Sequence, residues 1–208
     1  MCIRDRSYQF KEIDLTQDGK IAEDCDAIAI IGPRKAFFPK EAQLIDDYLK
    51  QGGRAMIALE YDLSGKENAQ ELVSILKKWS IQPKSALIVD PISRLAGLDA
   101  AVPILVSFSN SHPITKAFQQ KRANCFFPFS RPLEILPNPP KGIKVEWLAQ
   151  TSPQAWGESD SKSLGSGRVR FNPGDVKGPV SAAVAVSGKL DEKAARETRI
   201  VVFGSSLF

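Results

Sequence analysis

Hydrophobic and polar positions between residues 26 and 61 follow a pattern that predicts one α/β crossover unit. Residues 27–31 form a continuous apolar run, which is typical of a strand covered on both faces. Gly32 and Pro33 end this strand, since proline cannot continue a central strand. Apolar side chains then recur at helical spacing at Ala42, Ile45, Tyr48 and Leu49. The charged positions of the same helix are predicted to face water: Lys40, Glu41, Asp46, Asp47 and Lys50.

The boundaries of this helix are also visible in the sequence. Pro39 lies in the first turn, where its missing N–H costs nothing, and Gly52 is placed to cap the carboxyl end. Residues 55–59 then form a second apolar run and predict a second strand. A strand, a helix and a strand in this order imply a parallel pair joined by a crossover, and therefore an α/β fold.

The rest of the first half shows weaker patterns. Alternation over residues 8–15 predicts a strand before the crossover unit, and residues 65–79 predict a second amphipathic helix. Residues 80–83 are predicted to turn the chain, and residues 86–89 to form a short strand. Residues 92–102 are predicted to be a loop with a short helix.

The second half of the chain is rich in predicted strands. A strand over residues 104–108 precedes a helix start, with Ser111 or His112 as the cap and Pro113 in the first turn. Four more strands are predicted over residues 126–135, 143–150, 180–186 and 199–203. Residues 152–178 are rich in Ser, Gly, Asp and Pro and predict an exposed loop of low order.

The composition is that of a globular protein of one domain. The 208 residues are 43% hydrophobic and 25% charged, and the formal net charge is +4. The basic residues are dispersed, so no nucleic-acid partner is predicted. No apolar run approaches a membrane span. Residues 1–6, MCIRDR, resemble an artefactual leader, and the chain stops directly after a strand signal, so we expect residues 7–208 to be one α/β domain from a longer protein.

Few residues suit a metal or a cofactor. The three cysteines, Cys2, Cys25 and Cys125, show no metal-ligand or CxxC spacing, and His112 is the single histidine. The sequence therefore predicts no metal site and no cofactor. Free thiols at Cys25 and Cys125 are favoured over a disulfide between them.

Six segments in a fixed order carry a family resemblance. They are IIGPRKAFFPKEAQLIDDYLKQGGRAMIALE, LVSILKKWSIQPKSALIVDP, SHPITKAF, TSPQAWGE, KGPVSAAVAV and RIVVFGSS. Together they resemble the gliding-motility auxiliary family, the GldG-like component of an uncharacterised ABC-type transport system. The resemblance implies a flavodoxin-like or class I glutamine amidotransferase-like fold, with a mostly parallel sheet flanked by helices and no established active site.

The same resemblance implies a cellular location and partner proteins. Such domains lie on the extracytoplasmic face of the cytoplasmic membrane, held by flanking transmembrane helices that this fragment lacks, beside a transporter ATPase and permease. A related domain serves assembly in an intraflagellar transport protein. One departure concerns the end of the chain. The family's last strand is commonly followed by Gly-Asp-Ser-Asp-Phe, whereas residues 204–208 here read GSSLF and lack both carboxylates.

Candidate binding residues follow the predicted strands, because ligands of open parallel sheets bind at the carboxyl ends of the strands. These residues are Arg34, Glu60, Tyr61, Asp90, His112 and Ser205. An amidotransferase-like enzyme needs a Cys or Ser nucleophile on a sharp turn after a strand. Residues 60–62 read Glu-Tyr-Asp at that place, and Cys25 precedes its strand rather than following it.

The sequence therefore predicts a noncatalytic domain that acts through protein contacts or solute recognition. Two alternatives stay open. One is an amidotransferase-like hydrolase that uses Glu60, Asp90 and His112. The other is a carbohydrate- or polymer-binding module that uses Trp147 and Trp156 in the strand-rich half.

Overall fold

The structure is a computed structural model that describes residues 9–64, 67–121 and 123–207. The helices of these ranges are α1 Leu15–Asp18, α2 Pro39–Lys50, α3 Gln70–Lys78, α4 Pro91–Leu95, α5 Lys116–Lys121 and α6 Ser161–Ser166. The strands are β1 Ile28–Ile31, β2 Arg54–Ala58, β3 Ile81–Pro83, β4 Leu87–Val89, β5 Ile104–Phe108, β6 Cys125–Phe126, β7 Leu133–Ile135, β8 Ile143–Thr151, β9 Trp156–Glu158, β10 Val176–Lys177, β11 Ser181–Gly188 and β12 Thr198–Phe203.

A seven-stranded mixed sheet organises the fold, in the order β1-β2-β12-β11-β8-β5-β6. Strand β2 pairs in parallel with both β1 and β12, whereas β11, β8, β5 and β6 continue the sheet antiparallel. The predicted strand–helix–strand unit is confirmed as β1, α2 and β2. The predicted mostly parallel sheet is confirmed only for β1, β2 and β12. The other four strands, β11, β8, β5 and β6, are joined antiparallel.

Two small sheets complete the strand-rich part. Strands β10, β9 and β4 form one antiparallel sheet, and β3 and β7 form the other. Both use segments that the sequence predicts differently. Residues 80–83 are not simply a turn, because β3 pairs with β7, and residues 152–178 are not one exposed loop, because they contain β9, α6 and β10. Each of these short strands is stabilised by a partner distant in sequence.

Apolar side chains pack on both faces of the main sheet. Helices α2 and α3 cover one face, where Leu49, Leu72, Trp79 and Ile200 are fully buried. The other face carries a second cluster around β5, β8 and β11. The fold therefore has two cores separated by one sheet.

On the second face of the main sheet, the parallel strands β1 and β2 are exposed to solvent. Ile31 of β1 is 59% exposed and Met56 of β2 is 37% exposed. Ala29, Met56 and Val201 are cross-strand neighbours on this face. The expectation that the first strand is covered on both faces is therefore wrong, because β1 is an edge strand with helices packed on one side.

The segment before β1 forms no strand where it is described. Residues 9–14 lie outside any helix or strand, and Phe10 is 90% exposed. The Asp14 carboxylate accepts hydrogen bonds from the N–H groups of Thr16 and Gln17 and starts α1 instead. The strand predicted over residues 8–15 is wrong for these positions, because no neighbouring strand pairs with them. Position 8 and the leader predicted over residues 1–6 lie outside the described residues.

Two helices begin later than the sequence predicts. The helix predicted over residues 65–79 begins at Gln70, and residue 65 lies outside the described ranges. After β5, His112 accepts a hydrogen bond from the Ile114 N–H through Nδ1, but α5 begins only at Lys116. His112 therefore caps a turn that precedes the helix.

The prediction that Asp46 of α2 faces water is wrong. The sequence places it on the water-facing side, yet the residue is 3% exposed. Its Oδ2 accepts hydrogen bonds from Lys50 Nζ at 2.6 Å and from Lys78 Nζ at 2.8 Å, so it joins α2 to α3. Burial alone would raise the pKa of Asp46, but the hydrogen bonds and charges of the two lysines outweigh burial and lower it.

We expect Asp46→Asn to lower the free energy of unfolding by about 2 kcal/mol at neutral pH, since it removes a buried charge with two cationic partners. Because the folded-state pKa lies below the ordinary 3.8, this stabilisation is complete above that value and is lost as the pH falls through the folded-state pKa. Urea unfolding at neutral and acidic pH measures both effects.

The control is Asp47→Asn, whose carboxylate accepts a hydrogen bond from the Gln43 amide on the same helix. We expect the control to cost about 0.5 kcal/mol or less. Equal losses for the two variants would contradict the helix-joining role of Asp46.

Candidate functional site

A pocket of about 490 Å³ opens at the carboxyl ends of β1 and β2. Its walls come from residues 33–34 after β1, residues 59–63 after β2, and residues 67–69 before α3. Because β1 and β2 are parallel, their carboxyl ends meet at the same edge of the sheet. Three of the predicted site residues, Arg34, Glu60 and Tyr61, therefore come together here.

Gly32 allows the two strand ends to approach each other. Its N–H continues the ladder by donating to the Ala58 carbonyl, and its φ is +55°. A Cβ at this position would lie 2.6 Å from Glu60 Oε1. Glycine is therefore favoured by the left-handed backbone conformation, and a side chain at this position would displace the Glu60 carboxylate.

The two oxygens of Glu60 have different partners. Oε1 accepts a hydrogen bond of 2.5 Å from the Ser206 hydroxyl, which follows β12. Oε2 lies 3.6 Å from Arg34 Nε, and the Arg34 side chain is 83% exposed. Oε1 is thus fixed by a hydrogen bond from Ser206, whereas Oε2 lies near the exposed guanidinium of Arg34.

Tyr61 brings a neutral hydroxyl to the pocket wall. The residue is 8% exposed, and its hydroxyl makes no hydrogen bond within the described part of the chain. Burial raises the pKa of Tyr61; Arg131 opposes this, while Asp62 and Glu158 add to it. The phenol therefore stays protonated at neutral pH and can both donate and accept a hydrogen bond.

A buried ion pair supports the third wall. Arg131 is 3% exposed and binds Glu67 through two hydrogen bonds, Nη1–Oε1 at 3.2 Å and Nη2–Oε2 at 2.6 Å. Burial would raise the pKa of Glu67, but Arg131 outweighs burial and lowers it. On the same wall, the Asn68 amide donates to Asp62. Sequence patterns do not reveal the role of Arg131, because it lies 64 residues from Glu67.

The other predicted site residues lie elsewhere. Asp90 is fully buried, caps α4, and accepts further hydrogen bonds from the Ser152 hydroxyl and the Ile104 N–H. Ser205 is 1% exposed and donates to the Pro128 carbonyl. Neither residue lines the pocket, and their contacts are those of structural residues.

His112 lies at the opposite end of the sheet from the pocket. It follows β5, which runs antiparallel to β8, and β8 runs in the same direction as β12. The carboxyl end of β5 therefore points away from the carboxyl ends of β1 and β2. Glu60, Asp90 and His112, the set considered for a hydrolase, do not share a site.

The remaining candidates are also separate. Trp147 lies on β8 in the main sheet and Trp156 on β9 in a small one, and both are half-buried. Trp156 Nε1 donates to Glu158. Cys25 and Cys125 are free thiols. In the described part of the chain, no group of three or more His, Cys, Asp or Glu side chains could hold a metal ion.

Comparison with known proteins identifies the family. Residues 3–208 match the family described as ABC-type uncharacterized transport system. The chain belongs to this family. The resemblance to an auxiliary component of an ABC system is therefore confirmed. A search of curated proteins found no match.

Two solved structures match this family member at 14% sequence identity, and only the first of them is similar enough to bear on the fold. The mmIFT52 N-terminal domain matches with a TM-score of 0.58 over 87% of this chain and 66% of its own. A putative ThuA-like protein from Bacteroides uniformis matches with a TM-score of 0.40 over 87% of this chain and 60% of its own. This chain therefore spans less than two thirds of the length of either matched structure. No helix of the described residues is long and apolar enough to cross a membrane.

We expect Glu67→Gln to lower the free energy of unfolding by about 3 kcal/mol, because it leaves the Arg131 guanidinium buried without a counter-charge. Since the folded-state pKa of Glu67 lies below the ordinary 4.5, this stabilisation is present above that value and is lost as the pH falls through the folded-state pKa. Chemical unfolding measures the loss, and hydrogen exchange shows whether residues 67–69 open first.

Glu134→Gln is the matched control. Its carboxylate pairs with Lys84 at 2.5 Å, but both side chains are exposed, by 49% and 36%. Such a surface pair contributes about 1 kcal/mol or less. A Glu134→Gln loss as large as that of Glu67→Gln would refute a special role for the buried pair.

Proposed function

We propose that this chain is a noncatalytic, extracytoplasmic part of a gliding-motility-type, GldG-like auxiliary protein of an ABC transport system, and that it acts by binding a partner protein or a solute. The family supports the transport system. The observation that carries the binding role is the pocket of Arg34, Glu60 and Tyr61 at the carboxyl ends of the parallel strands.

The residues of the pocket favour binding over hydrolysis. Glu60 lies two residues after the end of β2, in the turn where an amidotransferase-like enzyme would place its nucleophile. Its Oε1 is held by the Ser206 hydroxyl, while its Oε2 has only the exposed Arg34 as a partner, at 3.6 Å. Asp90 is buried as a helix cap, and His112 lies at the other end of the sheet, so a nucleophile backed by a base has no counterpart among these three residues.

The fold proposal is a flavodoxin-like or class I glutamine amidotransferase-like arrangement for the parallel half. Strands β1, β2 and β12 with helices α2 and α3 on one face support it. The antiparallel strands β11, β8, β5 and β6 extend this unit. In this proposal the pocket occupies the position where open α/β sheets bind ligands.

The proposed partners are the permease and the ATPase of the same system, and the proposed anchors are transmembrane helices that flank this domain in the longer protein. We expect both subunits to copurify with the affinity-tagged full-length protein after detergent extraction from its own cells. Mass spectrometry of the eluate measures this. An unrelated tagged membrane protein is the control, and an eluate without either subunit would overturn the proposed partnership.

The proposed location has its own test. Gly165 in α6 is exposed, and a Cβ there meets nothing within 4 Å. We expect Gly165→Cys, in full-length protein whose other cysteines, Cys25 and Cys125 among them, are replaced by serine, to react with a membrane-impermeant maleimide in spheroplasts. Ala182→Cys is the control, because Ala182 is fully buried and should react only after denaturation. Labelling of Gly165→Cys only after lysis would place the domain on the cytoplasmic side.

A further inference from the structure

The pocket contains one polar group whose hydrogen bonding is incomplete. Tyr61 is more than nine-tenths buried, yet its hydroxyl makes no hydrogen bond within the described residues. The hydroxyl oxygen itself is not closed off from solvent, so a ligand that enters the pocket can replace water as its hydrogen-bond partner. A ligand that reaches Tyr61 therefore gains a hydrogen bond that the fold leaves unmade.

The nearby carboxylate is only partly occupied. Ser206 holds Glu60 Oε1 at 2.5 Å, which fixes the direction of the carboxylate. Oε2 lies 3.6 Å from Arg34 Nε, beyond the usual length of a charge-assisted hydrogen bond. Because Arg34 is 83% exposed, water screens this pair and the attraction is weak. A better-placed cation can therefore displace Arg34.

The pocket also offers apolar surface beside these polar groups. Pro33 and Leu63 line it, and Leu63 is 56% exposed. Such a wall suits an aliphatic stem that ends in a charged group, because the stem is desolvated while the charge meets a carboxylate. A fixed carboxylate oxygen and a neutral phenol acceptor suit a hydrogen-bond donor and disfavour an anion.

We propose that this pocket binds an ammonium or guanidinium group on an aliphatic stem, which contacts Glu60 Oε2 and the Tyr61 hydroxyl, and that Arg34 occupies the cation's place until the ligand arrives. This inference rests on the proposed binding function and names its ligand chemistry. The cation comes either from a free amine or from a Lys or Arg side chain of a partner protein.

The sign of the Arg34 effect tests the proposal. Binding of spermidine and of Nα-acetyl-lysine amide is measured by calorimetry on the whole 208-residue chain at low ionic strength. We expect Arg34→Ala to tighten binding about threefold to fivefold, since it removes a competing cation worth about 1 kcal/mol or less. Arg94→Ala, an exposed arginine of α4, removes the same charge away from the pocket and should change affinity little.

Two further variants test the contacts. Glu60→Gln keeps an acceptor for Ser206 but removes the charge, and we expect it to weaken binding at least tenfold. Tyr61→Phe removes only the hydroxyl, and we expect a loss of about fivefold. Circular dichroism and thermal unfolding show whether each variant is folded. If Tyr61→Phe fails to fold, the other two single variants still test the proposal. Glu60→Gln should weaken amine binding, whereas Arg34→Ala should tighten it.

The outcomes separate this inference from the proposed function. Tighter binding of the lysine amide than of spermidine points to a partner's side chain, and the reverse points to a free amine. Weaker binding after Arg34→Ala, tighter binding of acetate than of either amine, or no amine binding at millimolar concentration would overturn the cation site. Copurification of the transporter subunits tests the proposed function independently of all these results.

Discussion

One buried guanidinium holds together the segments around the pocket. Arg131 binds Glu67 with two hydrogen bonds and donates from Nε to the Lys84 carbonyl. Its backbone N–H donates to the Gly204 carbonyl after β12, and a Cβ at Gly204 would lie 2.1 Å from the Arg131 carbonyl oxygen. Because a buried charge without a partner costs several kcal/mol, the side-chain contacts of Arg131 with Glu67 and Lys84 are important for stability. The third wall of the pocket therefore depends on the Arg131 side chain, and the backbone of the same residue is joined to the end of β12.

The mixed sheet decides which strand ends meet. Strand β12, near the end of the chain, pairs between β2 and β11 and brings Ser206 to Glu60, 146 residues earlier in the sequence. The antiparallel strands beyond β12 then reverse the direction of β5, so His112 emerges at the far end. The same pairing thus completes the pocket and removes the histidine from it.

The parallel half combines a covered face with an open one. Helices α2 and α3 bury the first face of β1, β2 and β12, and the ion pair of Asp46 with Lys78 joins these helices. Met56 and Ile31 remain exposed on the second face. Parallel strands are usually covered on both sides, so this edge differs from the common arrangement. The pocket opens at the carboxyl ends of the same strands, where the backbone of Gly32 leaves room for Glu60.

The local sequence pattern is enough to predict the unit β1, α2 and β2 and the place of Glu60 and Tyr61 after a strand, because those features follow from side-chain periodicity and from Pro and Gly within a few positions. It could not determine that residues 9–14 lack a strand or that residues 81–83 form one, since both depend on whether a partner strand is present. Only the tertiary structure buried Asp46 between two lysines, joined Glu67 to Arg131, and set β5 against the direction of β2. The physical reason is that pairing and charge burial depend on groups that are dozens of residues apart in the chain.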